Sequence, residues 1–328
     1  MQTPINSNRA GGILGEAAMI RSKRYRLSKL HMGVCGLALL TLAVVLGEVP
    51  LASAQVASVS GPQNIAPAYE GWEQNPDGSF NLLFGYLNRN WDEELDVPIG
   101  PENRIEPGEP DRGQPTHFLP RRNRFIFRIR VPADFGEQEL VWTLTSNGQT
   151  ERAYGTLKRD YFIDDIVIMN NNGAGGAAGG MYNISENVGP ELRVDGNTTR
   201  HVRVGQPVAL TTHASDDGIP KLRRMPKPRL GLSVGGTPNS ASGLRFAWFV
   251  YRGSGSVAFD PPQFKVWEDS RPGADSPWAH GWGPPPIPEE NKWVVQASFA
   301  EAGTYVLRAL AHDGGLSSFE DVTFVVEP

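Results

Sequence analysis

The sequence predicts an all-β protein of two β-sandwich modules of immunoglobulin-like type. Three observations predict it. Glycine (37) and proline (27) are abundant among the 328 residues, which suits many short strands and turns better than long helices. Apolar residues alternate at period two, most cleanly in residues 125–131 (FIFRIRV). No window of a dozen residues carries a helical stripe. With 39% hydrophobic and 20% charged residues the composition is that of a folded chain, and its length suits two domains.

The N-terminus reads as an address. Residues 21–31 are a basic run, residues 33–46 (GVCGLALLTLAVVL) are uncharged and apolar, and Ala52-Ser53-Ala54 sets small residues before Gln55. That order is a secretory signal peptide, here residues 1–54 with a long basic leading region. A helix of this apolar stretch reaches about 21 Å, against a bilayer core of about 30 Å. Export to the periplasm or beyond is expected, and an inner-membrane anchor at residues 33–46 is the alternative. Cys35, the single cysteine, lies in this segment, so no disulfide framework is expected. Residues 55–328 keep 25 basic against 34 acidic groups, a net charge of −9. An acidic surface argues against nucleic acid as a partner.

Residues 55–67 read as a flexible lead-in and residues 68–168 as the first module. Residues 79–88, 125–131 and 140–145 are its strands, and Ser146-Asn147-Gly148 turns the last into a hairpin with 149–157. Six prolines within 97–120 exclude a sheet interior there. Residues 169–191 contain NNNGAGGAAGG and read as a linker. The second module covers 192–328, with insertions at 219–243 and 263–291.

Phe84-Gly85-Tyr86-Leu87-Asn88, Pro98-Ile99-Gly100, Asp111-Arg112-Gly113-Gln114-Pro115-Thr116-His117-Phe118 and Leu140-Val141-Trp142-Thr143-Leu144 resemble a recurrent, uncharacterised β module of large secreted bacterial proteins. In the second module, Gly205-Gln206-Pro207, the Trp248 strand, Ala302-Gly303-Thr304-Tyr305 and His312-Asp313-Gly314 resemble the polycystic-kidney-disease (PKD) type of immunoglobulin-like domain. The resemblance implies a core role for Trp248 and a tyrosine corner at Tyr305.

In such a sandwich both insertions leave from one loop pole, beside Asp216, Asp217 and Asp313. These aspartates are a candidate calcium set, since calcium takes six to eight oxygen ligands; aspartates beside glycine are also ordinary turn formers. The second insertion carries Trp267, Trp278, His280 and Trp282. Exposed, they form a ligand surface able to stack on a sugar ring or grip a peptide; folded down, they cover a small core. His213 and His312 with neighbouring aspartates leave a metal-dependent hydrolase as a remote third reading. No G-x-S-x-G occurs in a strand-turn-helix context, and no H-E-x-x-H zinc motif is present. The expectation is a non-catalytic binding or structural protein that meets an extracellular protein or glycan. Its alternative is a carbohydrate-recognition accessory protein. No cofactor is expected beyond calcium.

Overall fold

The computed structural model describes residues 62–174, 186–227 and 239–328. The leader at 1–54, most of the lead-in, residues 175–185 of the linker and residues 228–238 of the first insertion lie outside them. No helix among the described residues is long and apolar enough to cross a membrane.

The first sandwich contains β1 (Ile65–Gln74), β2 (Phe80–Asn88), β3 (Leu95–Asp96), β4 (Asn103–Glu106), β5 (His117–Phe118), β6 (Arg121–Val131), β7 (Leu140–Ser146) and β8 (Gln149–Gly155). One sheet runs β1-β2-β6, the other β4-β7-β8, and β3 pairs with β5. Leu82, Phe84 and Tyr86 meet Phe127, Ile129, Ile105, Trp142 and Leu144 between the sheets. Trp142 is fully buried, and its Nε1–H donates to Asn103 Oδ1 at 3.0 Å. Asn147 and Gly148 take φ of 47° and 73°, as the two-residue hairpin between β7 and β8 needs. One residue departs from the expected alternation. Phe125 sits at φ 52° beside a register shift, and the extra residue of this bulge turns its ring to the opposite face, onto Leu83 and Met169.

The second sandwich contains β9 (Glu191–Val194), β10 (Thr199–Arg203), β11 (Val208–Ser215), β12 (Arg245–Arg252), β13 (Val257–Asp260), β14 (Lys292–Phe299), β15 (Gly303–His312) and β16 (Ser317–Glu327). Its sheets run β10-β16-β15-β12 and β13-β14-β11-β9. Strands β9, β11, β14 and β13 thus stand as A, B, E and D, and β12, β15 and β16 as C, F and G, the immunoglobulin arrangement. Trp248 is 1% exposed in the core, and the Tyr305 hydroxyl donates to Glu301 O at 3.1 Å, a tyrosine corner.

The two sandwiches belong to one compact unit, residues 61–328. All of β12 up to Tyr251 is buried, Arg245 included, so the face opposite Phe246, Trp248 and Val250 is covered as well. The cause is that Phe249 and Tyr251, on the outer face, are covered by Leu119 of the first sandwich and by Val266 and Trp267 of the second insertion. The loop at 111–116 docks beside the end of β12. Asp111 accepts two bonds from Arg252 (2.7 and 2.9 Å), Thr116 N–H donates to Tyr251 O (3.3 Å), and the Tyr251 hydroxyl donates to Gly113 O (2.5 Å). Arg308, 4% exposed, donates to Ile126 O and pairs with Asp321. Its guanidinium lies 3.5 Å from the Tyr251 ring centroid and 4.1 Å from that of Phe319. A short helix, α1 (Asp165–Asn171), is capped by Asp164, which accepts from Val167 N–H at 2.9 Å. Its Ile168 and Met169 pack on Leu83, Phe125 and Leu316, so the helix touches both sandwiches.

Candidate functional site

Strand registers place the loop pole. β11 ends at Ser215; β9 and β14 run antiparallel to it and begin beside that end, at Glu191 and Lys292. β13 is antiparallel to β14 and so runs toward the same pole. β12 begins opposite His312, the end of β15. Residues 186–190, both insertions and the β15–β16 turn therefore gather at one end of the sandwich.

At its centre Asp313 is fully buried. Its Oδ1 accepts from Gly315 N–H (2.5 Å) and Leu316 N–H (2.7 Å), and its Oδ2 from Asn187 Nδ2 (3.0 Å). Burial pushes the carboxyl up to about 6 against these bonds, and the charge of Asp216 adds to the rise. Asp216 is half-buried and also raised, first by burial. Its Oδ2 accepts from Gly218 N–H at 2.9 Å, while its Oδ1 is buried with no hydrogen-bond partner among the described residues. Asn187 is 8% exposed, and its Oδ1 is likewise without a partner among the described residues.

Asp217 behaves differently. It is exposed, with Oδ1 accepting from Ile219 N–H (2.8 Å) and Oδ2 from Val188 N–H (3.0 Å). It staples residues 187–188 to the pole and turns away from Asp313. The expected set of three aspartates does not converge, and no three His, Cys, Asp or Glu side chains among the described residues are grouped to hold a metal. Asn187 is bonded to Asp313 through its Nδ2, and the charge of Asp216 acts on the same carboxyl; carboxylate and amide oxygens are the hard donors calcium takes. Asn187 was not singled out in the sequence; its only signal was its place just before the second module.

The histidines serve separate partners. His213 Nε2 lies 3.2 Å from Asp195 Oδ2. His312 Nδ1 accepts from Gly314 N–H at 2.8 Å and lies 3.3 Å from an Arg245 nitrogen. Burial, then the Arg245 charge, holds His312 well below the ordinary imidazole range.

The second insertion folds down. Trp278 is 8% exposed, so it offers no open face. Trp267 is half-buried against the Phe249–Tyr251 cluster. Trp282, half-buried, meets Phe264 edge-on at 5.4 Å, and its Nε1–H donates to Asp275 Oδ1 at 2.7 Å. His280 alone of the four is exposed, with Nδ1 3.2 Å from Pro226 O. Charge pairing holds this arrangement. The fully buried Asp269 accepts from Lys265 and Arg271, Arg271 reaches across to Asp92 at 2.6 Å, and Arg124 pairs with Glu268 at 2.9 Å. The insertion is a strap between the sandwiches, and a pair of open stacking platforms is not formed. Beside the pole, Pro220, Leu222, Leu244, residues 284–286 and Ile287 line a groove of about 470 Å³ that also touches Asp216 and Arg224. Leu222 and Ile287 there are 68% and 52% exposed.

No protein-family model matches the chain, and no curated protein matches it. Among solved structures it is similar to the Yersinia pseudotuberculosis adhesin InvE, at 11% identity and a TM-score of 0.20 over 80% of this chain. This chain spans 58% of that one. It is also similar to domains 4 and 5 of the S-layer protein SbsC, at 10% identity and a TM-score of 0.22 over 81% of this chain and 98% of that one. A third likeness is to the D00-D0 domain of Intimin, at 11% identity and a TM-score of 0.21 over 80% of this chain and all of that one.

Proposed function

We propose that this chain is an exported, non-catalytic binding or structural protein whose contact surface is the loop pole of its second sandwich, organised by calcium. One observation carries the reading. Asn187 Oδ1 and Asp216 Oδ1 are buried acceptors without donors among the described residues. Asn187 is bonded to Asp313, and the charge of Asp216 acts on the same carboxyl. Acceptors left unpaired in a buried site are costly, and a divalent cation converts them into ligands. Export rests on the basic, apolar, small-residue order of the leader. Within the immunoglobulin-like class we read the second sandwich as PKD-type. The partner class is an extracellular protein or glycan meeting the groove beside the pole, with the exposed His280 and half-open Trp282 on a neighbouring turn.

Calcium titrated into the intact protein at pH 7.5 tests this by calorimetry and thermal unfolding. A cation that binds only the folded state stabilises it by about 2.7 kcal/mol at a hundredfold excess over Kd. The stabilisation is expected to vanish in Asp216→Ala/Asp313→Ala and to weaken in Asn187→Ala. It should also fade as pH falls through about 6, where Asp313 takes up its proton. Without calcium the raised Asp313 carboxyl contributes stability below its unfolded value of 3.8, lost as pH rises through about 6. No heat and no shift at pH 7.5 would sink the reading.

A further inference from the structure

A cavity of about 60 Å³ lies in the joint, lined by residues of β6 of the first sandwich and of β12, β15, β16 and the second insertion. Its wall carries three guanidinium groups, Arg122, Arg124 and Arg308, and no Asp or Glu. Each is anchored by one carboxylate set back from the wall: Glu70 for Arg122 (2.6 Å), Glu268 for Arg124 (2.9 Å) and Asp321 for Arg308 (2.6 Å). The carboxylates that hold these cations in place are not among the lining residues.

Two neutral donors share the wall. Trp278 Nε1–H is buried and has no acceptor among the described residues. His312 uses Nδ1 to accept from Gly314 N–H and faces Arg245 with the same atom. Its single proton therefore sits on Nε2, and His312 lines the cavity. Behind it Arg245 is 3% exposed and bonded to Ala241 O and His312, and the charge of Asp313 acts on it without a direct ion pair among the described residues. A buried donor without an acceptor is costly.

We propose that this cavity is a binding site for one small monovalent anion, a halide or a carboxylate no larger than acetate. The anion accepts from Trp278 Nε1–H and His312 Nε2–H in the field of Arg122, Arg124 and Arg308, and so locks the two sandwiches together. The volume suits it: one water needs about 10–15 Å³ on this measure, so the space is that of a few waters or one such anion.

The test is thermal unfolding of the intact protein in sodium gluconate, with bromide or acetate substituted at constant ionic strength. Tm is expected to rise and saturate with one or both anions. Saturation with bromide alone defines a halide site, and with acetate alone a carboxylate site. Trp278→Phe, which keeps a ring and removes the donor, should move the midpoint about fivefold higher, the loss of one hydrogen bond. If neither anion raises Tm above gluconate, or if wild type and variant respond alike, the proposal is overturned. Should the variant not fold, bromide-soaked crystals of the wild type decide: an anomalous peak between Trp278 and His312 supports the site, and water alone there removes it.

Discussion

His117 shows how much one side chain can organise. It is 8% exposed, with Nδ1 2.7 Å from Asp96 Oδ1 and Nε2 3.0 Å from Glu94 Oε2. Burial lowers its pKa, but the bonds to Asp96 and Glu94 outweigh that and push it up to about 9. A raised histidine contributes stability that is complete below its unfolded value of 6.5 and is lost as pH rises through about 9. Because both carboxylates are more than a third exposed, screening trims the effect. We expect about 1–2 kcal/mol, read as a fall in denaturation midpoint between pH 7 and pH 10 that His117→Gln removes. The acidic run containing Asp92, Glu94 and Asp96 reads in sequence as a solvated loop. Its partners, His117 and Arg271, stand far along the chain, and no local pattern announces such pairs.

The turn between β15 and β16 illustrates an element whose form was legible. Aspartate before glycine marks a turn in any sequence, and Gly314 takes φ 108° there. A Cβ at this position would lie 2.7 Å from Ser242 Cα and 2.8 Å from Ala241 O, backbone atoms that have nowhere to go. Gly314→Ala should cost about 2–3 kcal/mol in chemical denaturation, and a cost near zero would show that the turn is loosely held. The same local physics made the alternation of β6 and the hairpin at Asn147-Gly148 readable in advance, whereas the places of Trp248 and Tyr305 followed from the resemblance to PKD-type domains. It could not give α1, whose seven residues are too short for helical periodicity to register. Nor could it tell an open tryptophan from a covered one in a proline- and glycine-rich insertion. What folds Trp278 down is a set of charge pairs reaching to Asp92 and to Arg124. The gathering of Asp216 and Asp313 followed from topology, whereas the outward turn of Asp217 depends on which backbone N–H groups stand nearest.

The whole molecule owes its unity to the joint. Arg308, stacked between Tyr251 and Phe319 and bonded to Ile126 O, belongs to one sandwich and holds the other. Residues 62–328 should therefore melt in one calorimetric transition. Arg308→Ala strips Asp321 of its partner and opens the joint, at a cost of about 2–4 kcal/mol given that Asp321 is partly exposed. Two separate transitions are expected in that variant, and two in the wild type would mean that the joint is not cooperative. The pairing of β10 with β16 has a consequence of another kind. These strands, near the beginning and at the end of the second sandwich, run parallel over five residue pairs, from Thr199 opposite Thr323 to Arg203 opposite Glu327. A tension drawing the two ends of that sandwich apart slides one strand along the other, so the hydrogen bonds between them share the load in shear and do not open one by one.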